Sequence, residues 1–300
     1  MAKLTLKHLR YFEALAREKH FGRAADVCAI SQPALSMQIK DMEDILGAPL
    51  IERAPRQVRL TALGEDIAAR AKEVLRSVDE IDDIARMARS NSVGRLRIGV
   101  IPTIAPYMLP RIIADLTAAN PALDLHVRET LTPRLLAELD DGRIDAAILA
   151  LPVAGAALTE VALFSEEFVL VRHGADAGKP VPSREHLREM RLLLLEEGHC
   201  FRDQALSFCA APGTVAPREL LDGSSLSTLV QMVGAGIGVT LIPEMAVPVE
   251  TRSANVALAR FGAPRPTRTI GMVWRRSSPL SSQLLEVAEA VRRAGDGLRA

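Results

Sequence analysis

Residues 65–91 contain neither glycine nor proline, and this uninterrupted stretch separates two parts of the chain with different patterns. Small apolar residues recur in it every seven positions, in one series at Ala71, Val78 and Ala85 and in a second at Ile67, Val74, Ile81 and Ala88. The pattern predicts one long helix over 61–92 whose apolar seam pairs with a second helix in a dimer. At 1.5 Å per residue, about thirty residues form a rod of roughly 45 Å. The alternative is an amphipathic helix that packs on its own domain.

The first sixty residues predict short helices joined by a tight turn. Ser31 is a suitable N-cap, and Pro33 stands in the first turn of the next helix, where its missing amide hydrogen has no intrahelical partner to lose. Arg53 and Arg56 lie in a stretch typical of a basic hairpin over phosphates. Ten Lys and Arg against seven Asp and Glu leave residues 1–60 with a charge of +3. The layout predicts a winged helix-turn-helix DNA-binding domain over these residues.

Residues 93–300 alternate between strand patterns and helix patterns, which predicts parallel sheets with helices on both faces. Two such sets, with the chain returning to the first, predict a hinged domain of two lobes. We expect the first lobe to comprise about 93–163 and 269–300, and the second about 164–268. Ligands of open α/β sheets bind at the carboxyl ends of strands, so residues 101–103 and 196–200 are expected at the cleft.

Composition disfavours several classes of protein. Aromatic residues make up 3% of the chain, too few for a surface that stacks sugars or bases. The longest apolar stretch is too short and too broken to cross a membrane, and the first residues lack the apolar core of a signal peptide, so we expect a cytoplasmic protein. Three cysteines cannot build a disulfide framework, and a bond between any two of them in the cytoplasm is expected to be transient.

The chain resembles a known family over essentially its whole length. Residues 20–64 are similar to the winged helix-turn-helix of LysR-type transcription regulators, and the linker helix and the two-lobed domain follow in the same order. Four segments resemble the peroxide-responsive OxyR branch of that family: 94–110, 192–209, 229–248 and 268–280. The segment GHCFRDQALSFC discriminates most, because most LysR-type proteins lack its cysteine pair. The resemblance implies a periplasmic-binding-protein-like regulatory domain, and the expected fold class is α/β with an all-α N-terminal part.

The resemblance also implies that Cys200 and Cys209 are a redox-active pair that senses hydrogen peroxide. Cys200 follows Gly198 and His199 at the start of a predicted helix, and a helix N-terminus favours the reactive thiolate. Peroxide converts a thiolate into a sulfenic acid, which a second thiol captures as a disulfide. Nine residues of helix separate the two cysteines by about 13.5 Å along the axis, whereas a disulfide requires Cα atoms within about 7 Å. The segment must therefore refold locally when the bond forms.

Further residues receive roles from the same resemblance. Threonines at the positions of Thr103 and Thr132 help to hold peroxide in the relatives, and Arg268 matches an arginine that stabilises the thiolate. The complete set expected to bind peroxide or stabilise the thiolate is Thr103, Thr132, Gly198, His199, Arg202, Asp203 and Arg268. We expect His199 and Arg202 to supply positive charge or hydrogen bonds near the thiol. No metal and no cofactor are expected.

The residues expected to bind DNA are Ser31, Gln32, Pro33, Ser36, Met37, Lys40, Arg53 and Arg56. Gln32, Ser36 and Met37 match positions that face bases in LysR-type recognition helices. Many relatives carry a basic residue where Met37 stands, so we expect less direct base readout and more readout of DNA shape. Lys40, Arg53 and Arg56 are the phosphate candidates, which position the protein without specifying sequence.

Read without the resemblance, the cysteines allow other interpretations. Cys200 and Cys209 could be inert residues of an apolar helix, whereas a zinc site with His199 matches no usual ligand spacing. Cys28 stands among Val27, Ala29 and Ile30, which indicates a small core residue.

The predicted function is a transcription regulator of oxidative-stress genes, activated by hydrogen peroxide through a reversible Cys200–Cys209 disulfide. The resemblance implies catalase and peroxidase genes as targets. The alternative is a LysR-type regulator that senses a small organic metabolite in the same cleft. A thiol peroxidase is disfavoured, because the helix-turn-helix would have no purpose in it. Expected partners are double-stranded DNA, hydrogen peroxide, RNA polymerase, a glutaredoxin- or thioredoxin-type reductant, and further copies of the chain in a dimer or tetramer.

Overall fold

The structure, a computed structural model, describes residues 3–52, 58–87, 94–153, 155, 157–209 and 220–297. The chain forms two compact units, Met1–Arg86 and Met87–Ala300. In the part of the chain that is described, no helix combines the length and the apolar character that crossing a membrane requires.

The first unit consists of helices followed by a small hairpin and a long helix. These elements are α1 (Leu6–Glu18), α2 (Phe21–Val27), α3 (Gln32–Leu46), β1 (Ile51–Glu52), β2 (Arg59–Leu60) and α4 (Ala62–Met87). The Ser31 hydroxyl accepts a hydrogen bond from the Ala34 amide at 3.4 Å, which caps the start of α3 as expected. Phe12, Ala24 and Leu35 are fully buried at the centre of this unit. The small side chain of Ala24 lets the helices cross closely.

The long helix α4 differs from the expected seam in one respect. Ala71 is 1% exposed and belongs to the core of the first unit, where Ile67 and Leu75 also pack. These three residues are four positions apart and therefore share one helix face. The placement of Ala71 in an intermolecular seam is wrong, because its own domain covers it. Val74 and Ile81, seven and fourteen positions after Ile67, lie beside this face and are 43% and 63% exposed, so they remain available to a partner.

The first lobe of the second unit is built on a parallel sheet. Its elements are β3 (Arg95–Val100), α5 (Ala105–Ala119), β4 (Asp124–Glu129), α6 (Thr132–Asp140), β5 (Ala146–Leu151) and, at the end of the chain, α11 (Ser281–Asp296). Strand β3 pairs in parallel with both β4 and β5. The carboxyl ends of β3 and β4 therefore lie side by side at one edge of the sheet.

The second lobe repeats this plan with shorter elements. It contains α7 (Arg184–Glu189), β7 (Leu192–Leu195), α8 (Cys200–Cys209), β8 (Leu220–Gly223), α9 (Leu226–Gly234), β9 (Val239–Pro243), α10 (Val247–Glu250) and β10 (Val256–Arg260). Strand β7 pairs in parallel with β8 and β9. Single 3₁₀ turns lie at Gly174–Asp176 and Glu244–Ala246.

Two long antiparallel strands, β6 (Leu158–His173) and β11 (Thr267–Arg275), join the lobes. Strand β6 pairs with β11 up to Glu167 and with β9 and β10 from Phe168 onward. The expectation of purely parallel sheets is therefore wrong at this junction, where β5–β11 and β6–β9 are antiparallel too. Strand β6 begins at Leu158 and so runs across the expected lobe boundary near residue 164. The domain and lobe boundaries of the sequence analysis stay predictions.

Candidate functional site

Three chain turns meet beside Cys200. Thr103 follows strand β3, Thr132 begins helix α6 after strand β4, and Cys200 begins helix α8 after strand β7. Together with neighbouring side chains they form a narrow recess, lined by Ile101, Pro102, Thr103, Leu131, Thr132, His199, Cys200 and Phe201. The recess is too narrow for a water-sized sphere. A molecule the size of peroxide therefore enters only if the lining side chains move apart slightly.

A buried ion pair supports one side of this recess. Arg268 on β11 stands opposite Glu166 on β6, and its Nε and Nη2 atoms donate to the Glu166 Oε1 atom at 2.8 and 2.7 Å. Its Nη1 atom donates to the Thr103 hydroxyl at 2.8 Å, and Nη2 donates to the Thr103 carbonyl at 3.0 Å. The guanidinium also lies 5.2 Å from the centre of the Phe201 ring. Arg268 therefore joins the Thr103 turn to the helix that carries Cys200.

The opposite side of the recess carries a hydroxyl that can receive a guest. The Thr132 Oγ1 atom is buried and has no hydrogen-bond partner among the described residues. Thr132 is the first residue of α6, which has no side-chain cap. A buried hydroxyl without a partner costs free energy, so a small polar molecule bound here would remove that cost.

The turn that leads into α8 requires a glycine. Gly198 has φ of +93°, and a Cβ atom there would lie 3.0 Å from the Leu131 Cδ1 atom. Both facts disfavour any larger residue. This sharp turn at the end of β7 places Cys200 at the first residue of α8, where its thiol is half-buried.

Two neighbours of Cys200, His199 and Arg202, were expected to supply positive charge or hydrogen bonds near its thiol. Arg202 donates to the Leu195 carbonyl at 2.7 Å and forms an ion pair with Asp222. Burial lowers the pKa of His199, which favours its neutral form near pH 7. Arg202 therefore braces the turn, and His199 offers a hydrogen bond more readily than a charge. Asp203 is exposed on α8.

Two aromatic contacts hold helix α8 in place. Phe201, 2% exposed, packs edge-on against Phe168 with ring centres 4.9 Å apart. Near the other end, Phe208 packs edge-on against Phe261 at 4.9 Å, and the Arg184 guanidinium lies 4.5 Å from the Phe208 ring centre. The expectation of a helix between the two cysteines is confirmed, because α8 spans Cys200–Cys209.

A larger cavity of about 400 Å³ lies next to the recess, between the lobes. Glu250 is buried at its wall and accepts hydrogen bonds from the Tyr107 hydroxyl at 2.7 Å and the Ser227 hydroxyl at 2.6 Å. Burial and this carboxylate raise the pKa of Tyr107. Glu166, Tyr107 and Glu250 were not predicted from the sequence, because each acquires its partner only through contacts across more than twenty residues of chain.

The residues expected to bind DNA lie on and around α3. Ser31, Gln32, Pro33, Ser36, Met37 and Lys40 are all exposed. Leu35, Ile39 and Met42 of the same helix point into the core. The helix thus leaves one polar face open to a ligand. Arg53 and Arg56 lie outside the described residues.

Cys28 is partly buried against the core of the first unit, and burial raises the pKa of its thiol. It therefore behaves as the expected small core residue, without the exposed thiolate that peroxide chemistry requires.

Comparison with known families agrees with this architecture. The model for "Bacterial regulatory helix-turn-helix protein, lysR family" matches residues 6–65, and the model for "LysR substrate binding domain" matches residues 89–296. The chain therefore belongs to the LysR family of bacterial regulators.

Individual relatives narrow the assignment. The chain is 42% identical over 299 residues to the DNA-binding transcriptional dual regulator OxyR of Escherichia coli K12, covering 98% of this chain and 97% of the relative. Full-length OxyR from Pseudomonas aeruginosa, in a cysteine-to-aspartate variant, superposes with a TM-score of 0.75 at 37% identity, covering 97% and 96% of the two chains. A cysteine-to-serine variant of Corynebacterium glutamicum OxyR with hydrogen peroxide bound gives 0.66 at 36% identity, covering 99% and 94%. Within the LysR family, the chain falls in the OxyR group.

Proposed function

We propose that this chain is a sequence-specific DNA-binding regulator of oxidative-stress genes that hydrogen peroxide activates through a reversible Cys200–Cys209 disulfide. The observation that carries the proposal is the recess in which Cys200, Thr103 and Thr132 meet. One reactive thiol and two hydroxyls suit a guest with two oxygens, each able to donate and to accept a hydrogen bond.

The first chemical step takes place at Cys200. Its thiolate attacks one peroxide oxygen, so that an S–O bond forms, the O–O bond breaks and hydroxide leaves. Cys200 stands at the first residue of α8, at the positive end of the helix dipole. Thr132 and Thr103 hold the peroxide, and Arg268 adds positive charge behind Thr103. Gly198, His199, Arg202 and Asp203 complete the surroundings of the thiol.

The second step couples chemistry to shape. The Cys209 thiolate displaces hydroxide from the Cys200 sulfenic acid, and a disulfide forms. Across the intact helix α8 the two residues are about 13.5 Å apart along the axis, and a disulfide tolerates about 7 Å between Cα atoms. Oxidation therefore unwinds α8. Phe201 then separates from Phe168, and Phe208 separates from Phe261. The unwinding therefore changes the packing at both ends of α8.

The output of the switch is DNA binding by α3. Gln32, Ser36 and Met37 face bases, while Lys40 and the arginines Arg53 and Arg56 contact phosphates. Copies of the chain associate through the exposed face of α4 that carries Val74 and Ile81, as a dimer or as a tetramer. The protein acts in the cytoplasm with RNA polymerase, is reset by a glutaredoxin- or thioredoxin-type reductant, and has no turnover as an enzyme.

The cavity of about 400 Å³ between the lobes supports a second candidate, a regulator that responds to a small organic metabolite. Its wall of hydroxyls and the Glu250 carboxylate suits a polar guest. In that case the cysteines would have no part in signalling.

Substitution of single cysteines decides between these functions. Cys200→Ser is expected to abolish activation by peroxide, because serine forms no sulfenic acid. Cys209→Ser should consume one equivalent of peroxide and stop before the disulfide, and Cys28→Ser, the matched control, should respond normally. Thiol counting, mass spectrometry of the linkage and transcription in vitro measure these outcomes. A Cys200→Ser protein that still activates transcription on addition of peroxide would leave the metabolite sensor in its place.

A further inference from the structure

We infer that Glu166 is a positioning residue for peroxide reduction: acting through Arg268, it makes the Thr103 hydroxyl a hydrogen-bond donor to the peroxide oxygen that leaves. This inference rests on the proposed function and adds to it a residue whose carboxylate lies outside the lining of the recess.

The carboxylate holds Arg268 in a single orientation. Glu166 and Arg268 face each other on neighbouring strands, and their side chains are 2% and 0% exposed. The Glu166 Oε1 atom accepts from two nitrogens of Arg268, and its Oε2 atom accepts from the Met245 amide at 3.1 Å. Both oxygens are therefore engaged, and the guanidinium cannot rotate without breaking a buried, charge-assisted contact.

The orientation of Arg268 determines what Thr103 can do. A guanidinium only donates hydrogen bonds, so the Thr103 Oγ1 atom must be the acceptor of the contact with Arg268 Nη1 at 2.8 Å. The hydroxyl proton of Thr103 then points elsewhere. Among the described residues, no acceptor for that proton is observed, and Thr103 lines the recess beside Cys200. The hydroxyl thus offers a donor, polarised by the positive charge behind it, to a molecule in the recess.

Peroxide reduction requires such a donor. As the Cys200 thiolate attacks one oxygen, the sulfur is oxidised, the O–O bond breaks and the second oxygen leaves with the bonding electron pair as hydroxide. Negative charge grows on that oxygen in the transition state, and a preorganised donor stabilises it more than it stabilises bound peroxide. The proton that the Cys200 thiol released to solvent on forming the thiolate then combines with this hydroxide to give water.

Glu166→Gln tests this arrangement with little change in volume. An amide has one oxygen where the carboxylate has two, so its NH₂ group must face either Arg268 or the Met245 amide, donor against donor. We expect the rate constant for oxidation of Cys200 by peroxide to fall about tenfold or more. The rate of Cys200 alkylation by iodoacetamide should not fall, because alkylation needs the thiolate but no donor to a departing oxygen.

A double-mutant cycle with Thr103→Val makes the test specific. If Glu166 acts through Thr103, Glu166→Gln should cause no further loss of peroxide rate in a Thr103→Val protein. Asp145→Asn is the matched control, because Asp145 is also a buried carboxylate that accepts from an arginine, Arg97, at 2.6 Å. It should leave both rates unchanged. If Glu166→Gln does not fold, Glu166→Asp, which retains the charge but shortens the side chain, replaces it in the same two rate measurements.

Equal losses of the peroxide and alkylation rates in the Glu166 variants would overturn the inference, since they indicate a damaged fold or a changed thiolate. Additive losses in the double mutant would overturn it as well. If Cys200 of the wild-type protein reacts with peroxide no faster than an ordinary thiol, that result would instead contradict the proposed function itself.

Discussion

Phe208 lies one residue before Cys209, far along α8 from the reactive thiol, and its ring is held by Phe261 and Arg184. The proposed unwinding of α8 would separate Phe208 from these partners, so we expect the contacts to oppose formation of the disulfide. Phe208→Leu retains an apolar side chain but removes both contacts. The reduced form should therefore lose stability relative to the oxidised form.

The size of the effect follows from the two contacts. An edge-on aromatic pair contributes about 0.5–1.5 kcal/mol beyond buried area, and an exposed cation–π contact about 0.5–1 kcal/mol. A combined loss of about 1–2.5 kcal/mol corresponds to a shift of about 20–55 mV, because 30 mV equals about 1.4 kcal/mol for two electrons. The disulfide gains relative stability, so the reduction potential of the pair becomes more negative by this amount.

Equilibration in glutathione buffers of known potential, followed by quantification of the Cys200–Cys209 linkage, measures the shift. Phe261→Leu should produce a shift of the same sign, and the double variant should add little. Phe164→Leu, a buried phenylalanine that packs against Gly295, should leave the potential unchanged. An unchanged or less negative potential for Phe208→Leu would refute the argument that unwinding α8 breaks these contacts.

Three further outcomes test other parts of the molecule. Gln32→Ala should relax base preference at one position per half-site, whereas Lys40→Ala should weaken binding to all sequences and lower the salt slope by about one. Binding assays against operator variants compare the two, and intact preference in Gln32→Ala would contradict the assigned face of α3. Ile81→Glu should reduce dimerisation in sedimentation experiments, and an unchanged oligomer would exclude this face of α4. Tyr107→Phe should lower the free energy of unfolding in urea by about 1–3 kcal/mol, because the buried Glu250 carboxylate loses a donor. No loss would mean that solvent reaches that carboxylate.

Local patterns were sufficient for most helices and for the general position of the site. Ser31 caps α3 as expected, and α8 spans the two cysteines. Thr103 was expected at the cleft because ligands bind at the carboxyl ends of strands, and Thr132, expected there from the resemblance, follows the adjacent strand β4. These features depend on interactions within a few residues of each other, which a pattern in the chain records directly.

Errors occurred where an assignment depended on a distant partner. Ala71 fits a heptad seam by spacing, but the core of its own domain covers it. The contacts of Arg202 with Asp222 and the Leu195 carbonyl could not be predicted from its position beside Cys200 in the chain, and its role near the thiol stays a prediction. The spacing of residues specifies which of them share a helix face. Only the tertiary structure determines whether that face packs against its own domain or against another molecule.

The amino-acid order alone was enough to establish a helix-turn-helix, a long linker helix, a two-lobed α/β domain and a cysteine pair that cannot bond within an intact helix. The tertiary structure decided how the site is charged and held. Glu166 and Arg268 are 102 positions apart and meet because β6 and β11 pair in one antiparallel register. A shift of that register by one residue would place the two side chains on opposite faces of the sheet. Register is set by the packing of the whole domain, so no local pattern can contain it.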